Sequence, residues 1–234
     1  MKNYAIILAS GLGQRYGGDI PKQFTKLAGK TILEHTIENF EKSEHINEIF
    51  IVITPEYRHL AQEIISQNSY KKVTKLLDGG KIRKESSYIG ISAIKEKEAN
   101  VLIHDCARPF VSQKIIHDCV RALDKYNAVG VAIPIADTII ECNNNIIKNI
   151  PDRNNLKQIQ TPQCFKLSVI KKGHELAKND TNFTDDCGLI VKYDICNVHI
   201  IDGDMNNIKI TYPSDIIFAE QIIKNFQKKE INYD

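Results

Sequence analysis

The chain has 234 residues, 42% of them apolar and 26% charged, which is an ordinary balance for one sizeable soluble core. A net charge of +2 gives no reason to invoke a nucleic acid or a membrane surface, and no apolar run approaches the roughly 20 residues of a spanning helix. The six cysteines are scattered, with no CxxC pair, and the histidines include no HExxH, so reduced thiols in a cytoplasmic protein are expected rather than a disulfide framework or a structural zinc site.

The first element, "YAIILA" (4–9), is a short apolar strand that runs directly into "SGLGQRYGGDIPKQF". Gly11 and Gly13 fit the start of a dinucleotide fingerprint, but Tyr16 stands where its third glycine belongs, and no acid closes the second strand. A P-loop needs lysine straight after its last glycine, where Asp19 follows Gly18 instead. What remains is Ala9 and Ser10 at a strand end, a glycine turn with bare N–H groups, and Arg15 and Lys22 downstream. Such N–H groups can line a polyphosphate while the two cations neutralise it; a tight turn with two solvated cations is the bland alternative. Pro21 stiffens the approach to Lys22.

Further strands are predicted at 48–54, 73–77, 100–104 and 128–134, with helical patterns at 31–42, 56–67, 83–97 and 112–126. Near-continuous apolar strands alternating with helices imply a Rossmann-like, mostly parallel α/β sheet covered on both faces, with its ligand site at the strands' carboxyl ends. The third strand leads into "DGGKIRKESS", where Gly79 and Gly80 permit close backbone approach and Arg83 and Ser86 lie one helical turn apart. The fourth ends in "IHDCARPF". An acid there needs a partner, and a magnesium ion bound by Asp105 would supply one; Arg108 could bind an anion. Cys106 has no base placed to make it a nucleophile.

After the fifth strand the rhythm breaks. "DTIIECNNNIIKNIPDRNN" (137–155) carries two apolar runs around a triple asparagine, a β-hairpin signal. Helical segments near 166–178 and 184–193, strands at 197–202 and 207–211, and a last helix opening at Pro213 complete the chain. "FTDD" offers Thr184 to a phosphate or as a helix N-cap. On this reading residues 1–234 form one domain with an inserted β-arm at about 136–156.

Five ordered blocks resemble the 2-C-methyl-D-erythritol 4-phosphate cytidylyltransferases and their relatives, the ribitol 5-phosphate cytidylyltransferases: "ASGLGQRYGGDIPKQF", "DGGKIRKESS", "HDCARPF", "PIADTI" with "PDRNN", and "FTDD" with "NNIKIT". The resemblance implies CTP, a polyol phosphate and a divalent cation, magnesium. It makes Arg15, Lys22 and Lys209 catalytic. It places Ala9, Ser10, Gly11, Gly13, Gly79, Gly80, Arg83 and Ser86 on CTP. It places Asp105, Cys106, Arg108, Thr138, Arg153 and Thr184 toward the acceptor, with Arg153 reaching over from the second subunit of a homodimer joined through the β-arm. The family often has aspartate where Asn206 stands. The acceptor stays open between the two polyol phosphates: "PDRN" and "FTDD" resemble the methylerythritol enzymes, while "PIADTI" and "DKYNAV" resemble the ribitol group. A catalytically silent nucleotide-binding protein is the remote alternative.

Overall fold

The computed structural model describes residues 1–13, 15–17 and 20–231, so Gln14, Gly18 and Asp19 of the opening loop lie outside the described residues. In chain order the strands are β1 (Lys2–Ala9), β2 (Lys26–Leu27), β3 (Lys30–Thr31), β4 (Glu48–Ile53), β5 (Val73–Asp78), β6 (Ala99–Asp105), β7 (Ala128–Pro134), β8 (Glu141–Asn143), β9 (Ile146–Asn149), β10 (Lys157–Lys166) and β11 (His199–Asp202). The helices are α1 (Ile32–Glu41), α2 (Arg58–Asn68), α3 (Arg83–Ser92), α4 (Gln113–Ala122), α5 (Leu167–Leu176), α6 (Cys187–Lys192) and α7 (Asp215–Ile231).

Seven strands form one sheet in the order β11-β7-β10-β6-β1-β4-β5. The pairs β1–β4, β1–β6, β4–β5 and β7–β11 are parallel, and β10 runs antiparallel between β6 and β7. The side chains of β1 alternate between two buried layers, Ala5, Ile7 and Ala9 on one face and Tyr4, Ile6 and Leu8 on the other. That period of two makes a strand buried on both faces read as a continuous apolar run. Helices α1, α2, α4 and α7 contribute to the first layer, and α3, α5 and α6 to the second. In α1 the buried positions are Ile32, Leu33, Thr36, Ile37 and Phe40, a helical stripe started by a capping box between Thr31 and Glu34.

Chain direction across the sheet reverses at β1. The chain goes from β1 to β4 and β5 on one side and returns to β6 on the other, so β1 and β6 flank the switch point. An open α/β sheet leaves its crevice there, at the carboxyl ends of the two strands. Ala9 and Asp105 are those ends.

Three sequence expectations are corrected. The predicted strands include none over 157–166, where the structure has β10, with "QTPQCF" (160–165) in its latter part and a register shift between Gln160 and Gln163. Pro162 sits within that irregularity, where a ladder N–H is dispensable. "NIKIT" (207–211) is not a strand. It crosses the mouth of the crevice with Ile210 donating its N–H to the Ala107 carbonyl. The helix expected over 83–97 ends at Ser92. The hairpin stands as read: β8 and β9 pair antiparallel, and Asn144 and Asn145 both adopt positive φ (49° and 61°), the left-handed pair a tight primed turn requires. Among the described residues no helix is long and apolar enough to cross a membrane.

Candidate active site

A cleft of about 550 Å³ opens at the switch point. Its floor is the end of β1, its walls are the glycine turn and the loop into α3, and Lys209 closes its far side. Gly13 takes a φ of +65°, and a Cβ there would stand 3.4 Å from Lys22 Cγ, so the turn lies against the lysine stem. Lys22 Nζ donates to the Ile210 carbonyl at 2.7 Å, tying this loop to the crossing segment 188 residues later. Burial, with Lys209 nearby, lowers the Lys22 pKa from its ordinary value. Gln23, absent from the sequence reading, donates to the Ala9 carbonyl and fixes the loop's exit.

The opposite wall is built by close packing. A Cβ on Gly79 would fall 2.4 Å from Ser10 Cβ, and one on Gly80 2.3 Å from Glu85 Cβ, so neither position tolerates a side chain without movement. The Ser10 and Ser86 hydroxyls lie 2.7 Å apart, and Ser86 Oγ also accepts from the Gly80 N–H. Ser86 is therefore wholly buried beneath the wall, holding its shape. The glycines were expected to admit a base; in the structure they first admit Ser10 and Glu85.

Asp105 and Arg83 form the charged centre. Arg83 Nε donates to Asp105 Oδ1 at 3.0 Å, and Lys209 Nζ to Asp105 Oδ2 at 2.6 Å. These two cations drive the Asp105 pKa far below the usual carboxylate range despite burial. The argument that Asp105 needs a metal to compensate it is thus corrected, since two cations already do so. Arg83 Nη1 reaches Asp186 Oδ2 at 2.7 Å, and that buried acid also accepts from Ser87. Arg83, held between two carboxylates, has its pKa raised, and Asp186 has its own lowered. Asp186 is held in turn by Gln163, whose Oε1 accepts from the N–H groups of Asp186 and Cys187. Sequence reasoning missed Asp186 and Gln163. Asp186 lay inside the quoted "FTDD", and only burial distinguishes the two from solvated polar residues.

The cleft brings together Ala9, Ser10, Gly11, Gly13, Arg15, Lys22, Gly80, Arg83, Asp105, Cys106 and Lys209, together with Lys81 and Thr211, which were not foreseen. Lys209 enters it because Ile210 is fully buried and Ile208 packs on the core, so the residue between them faces away. Cys106 is buried, and desolvation pushes its thiol up to about 12, far from thiolate chemistry. Arg108 lies outside the lining: it is buried and donates to the Asn207 carbonyl at 2.7 Å, a geometry that supports the crossing segment. Thr138 and Arg153 are exposed at the arm's root, with Arg153 donating to the Ala136 carbonyl at 3.3 Å, and Thr184 is exposed as well. The cap expected of Thr184 is made by Asp185, whose Oδ1 accepts from the Gly188 N–H.

Residues 4–225 match the family described as IspD, 2-C-methyl-D-erythritol 4-phosphate cytidylyltransferase. The chain belongs to that family. It is 40% identical over 217 residues to the 2-C-methyl-D-erythritol 4-phosphate cytidylyltransferase of Thermosipho melanesiensis, covering 92% of this chain and 94% of that one. It is 41% identical over 231 residues to the bifunctional ribulose 5-phosphate reductase/CDP-ribitol pyrophosphorylase Bcs1 of Haemophilus influenzae. That match takes in 96% of this chain but 48% of the relative, so the chain spans about half of that protein's length. The crystal structure of 4-diphosphocytidyl-2C-methyl-D-erythritol synthase from Anaerococcus prevotii superposes with a TM-score of 0.84 at 28% identity, covering 95% of this chain and 96% of that one.

Proposed function

We propose that the protein transfers CMP from CTP to 2-C-methyl-D-erythritol 4-phosphate, releasing pyrophosphate. The observation that carries this reading is the gathering of Arg15, Lys22 and Lys209 around one cleft walled by a glycine turn, at the switch point of a family fold. An acceptor phosphate oxygen attacks the α-phosphorus in line, the new P–O bond forms as the bond to the β-phosphate oxygen breaks, and pyrophosphate leaves with that electron pair. The attacking oxygen is already ionised at neutral pH, so no general base is needed, and positioning with charge stabilisation carries the rate. Lys22 is suited to this because its ammonium is partly desolvated and fixed by the Ile210 carbonyl. Lys209 leaves Asp105 for the triphosphate, while Arg83 keeps that carboxylate compensated.

A magnesium ion fits the residues present at the minimum such an ion accepts: one carboxylate, Asp105, with triphosphate oxygens completing the shell. Bound there, it would neutralise charge on the triphosphate. No grouping of three His, Cys, Asp or Glu ligands occurs among the described residues.

The arm supports a homodimer. Ile146, Ile147 and Ile150 are each more than half exposed, and a two-stranded hairpin cannot bury them alone. A two-fold partner would cover both arms and bring Arg153 and Thr138 toward the neighbouring cleft. We read the chain as one nucleotidyltransferase domain with this arm inserted, working in the cytoplasm.

Ribitol 5-phosphate is the second reading of the acceptor, favoured by the identity to Bcs1. Comparing kcat/KM for pyrophosphate release from CTP with each polyol phosphate tests both. A clear preference for ribitol phosphate would overturn the first, and release with neither would overturn both.

A further inference from the structure

A second cavity, of about 510 Å³, lies behind the nucleotide cleft between α3 and α5. Gly80 lines both spaces, so the loop into α3 is their common wall. Its sides are Tyr88, Ile89, Glu85 and Lys178, with His174 buried at the back. Its size is that of small-molecule pockets.

The hydrogen bonding around His174 defines what could bind. Ser87 has one hydroxyl hydrogen, and it goes to Asp186 Oδ1. The neighbours of His174 Nε2 are then two acceptors, Ser87 Oγ at 3.4 Å and Asp186 Oδ1 at 3.7 Å. In the neutral ring the proton therefore sits on Nε2, which leaves Nδ1 as an acceptor. That atom is buried and has no hydrogen-bond partner among the described residues. An unsatisfied buried acceptor is costly to keep, and a donor brought to it recovers the hydrogen bond. The ring of Tyr88 lies 5.5 Å from the imidazole, tilted by 37°, and Tyr88 is 47% exposed, so it can swing aside and then stack on a flat guest. Glu85 and Glu175 offset Lys84 and Lys178 around the cavity, so it has no net charge to select an anion.

We propose that this cavity is a second ligand site, taking an uncharged planar heteroaromatic molecule that donates a ring N–H to His174 Nδ1 and stacks on Tyr88. Occupancy would be felt in the cleft, because the Asp186 carboxylate beside His174 also holds Arg83.

Benzimidazole, which has a ring N–H, and 1-methylbenzimidazole, which lacks it, are titrated into the full chain carrying 15N-labelled histidine. The expected result is saturable binding of benzimidazole with a shift of the His174 ring nitrogens, and about tenfold weaker binding of the methylated compound. His174→Phe should abolish the difference between the two probes. The comparison of probes needs only the native chain, so it stands even where His174→Phe does not fold. Equal affinities, an absence of saturable binding, or displacement of benzimidazole one for one by CTP would each overturn the proposal.

Discussion

Arg83 Nη1 donates to Asp186 Oδ2 at 2.7 Å, joining the first residue of α3 to the residue before α6, 103 positions along the chain. The same guanidinium holds Asp105 on its other side, so one cation fixes a cleft carboxylate from a buried anchor. Replacing Arg83 by Met leaves Asp186 uncompensated in the interior. The expected loss is about 3–5 kcal/mol of stability at pH 7, measured by urea unfolding.

The loss should depend on pH in a defined direction. In the folded chain Asp105 and Asp186 titrate below their ordinary values, so the folded state binds fewer protons than the unfolded one. Their contribution is complete above the unfolded value of about 3.9 and disappears as pH falls through the folded values. Wild type and Arg83→Met should therefore keep their gap from pH 7 down to about 4 and converge only as the pH falls below that. A gap that stays constant below about pH 4 would show that the pairing contributes nothing through charge.

Lys22→Ala and Lys209→Ala should each lower kcat by about 100-fold or more with the circular dichroism spectrum unchanged, the scale of losing one preorganised charge contact. Lys209→Ala carries an additional signature. It removes one of the two cations on Asp105, so the magnesium concentration needed for half-maximal rate should change in that variant and not in Lys22→Ala. Near-normal turnover in both would remove these lysines from the reaction.

The strands were legible because β1, β4, β6 and β7 are buried on both faces and read as unbroken apolar runs. β10 escaped because its Lys157–Gln160 half is largely polar and its register shift holds Pro162. The cleft cations were legible because glycine, proline and strand-end positions bound the places their side chains can reach. Asp186 and Gln163 were not, since their roles depend on contacts between segments far apart in sequence. The same limit explains Arg108, which reads as a free cation beside Asp105 until the buried bond to Asn207 is seen.

Gly79→Ala tests the close-packed wall. The added methyl would meet Ser10 Cβ at 2.4 Å, in a region where the neighbouring hydroxyl already bonds Ser86. Overpacking of this kind costs about 1–3 kcal/mol, and the displaced Ser10 would narrow the cleft. KM for CTP should rise while kcat changes little, because the cations proposed to stabilise the reacting phosphate lie on the opposite wall. A fall in kcat at unchanged KM would place Ser10 and Gly79 nearer the reacting phosphate than the base.

The arm predicts shared sites. Ile146 and Ile147 are 59% and 56% exposed, and Ile139 and Ile140 at the arm's root are also exposed, so the hairpin needs a covering surface. Closed two-fold pairing would make each arm cover its partner and, as proposed, bring Arg153 to the neighbour's cleft rather than its own. Sedimentation should therefore report a dimer, and Ile146→Lys with Ile147→Lys should shift it toward monomer. Mixing inactive Lys22→Ala and Arg153→Ala chains under conditions of exchange provides the functional test. In a mixed dimer one site collects both lesions and the other collects neither. Random exchange makes about half the dimers mixed, each with one intact site of two, so about a quarter of wild-type activity should return. Recovery near that level requires Arg153 to act across the interface. If exchange is confirmed and the mixture stays inactive, Arg153 serves its own subunit, and the arm's apolar face has some other cover.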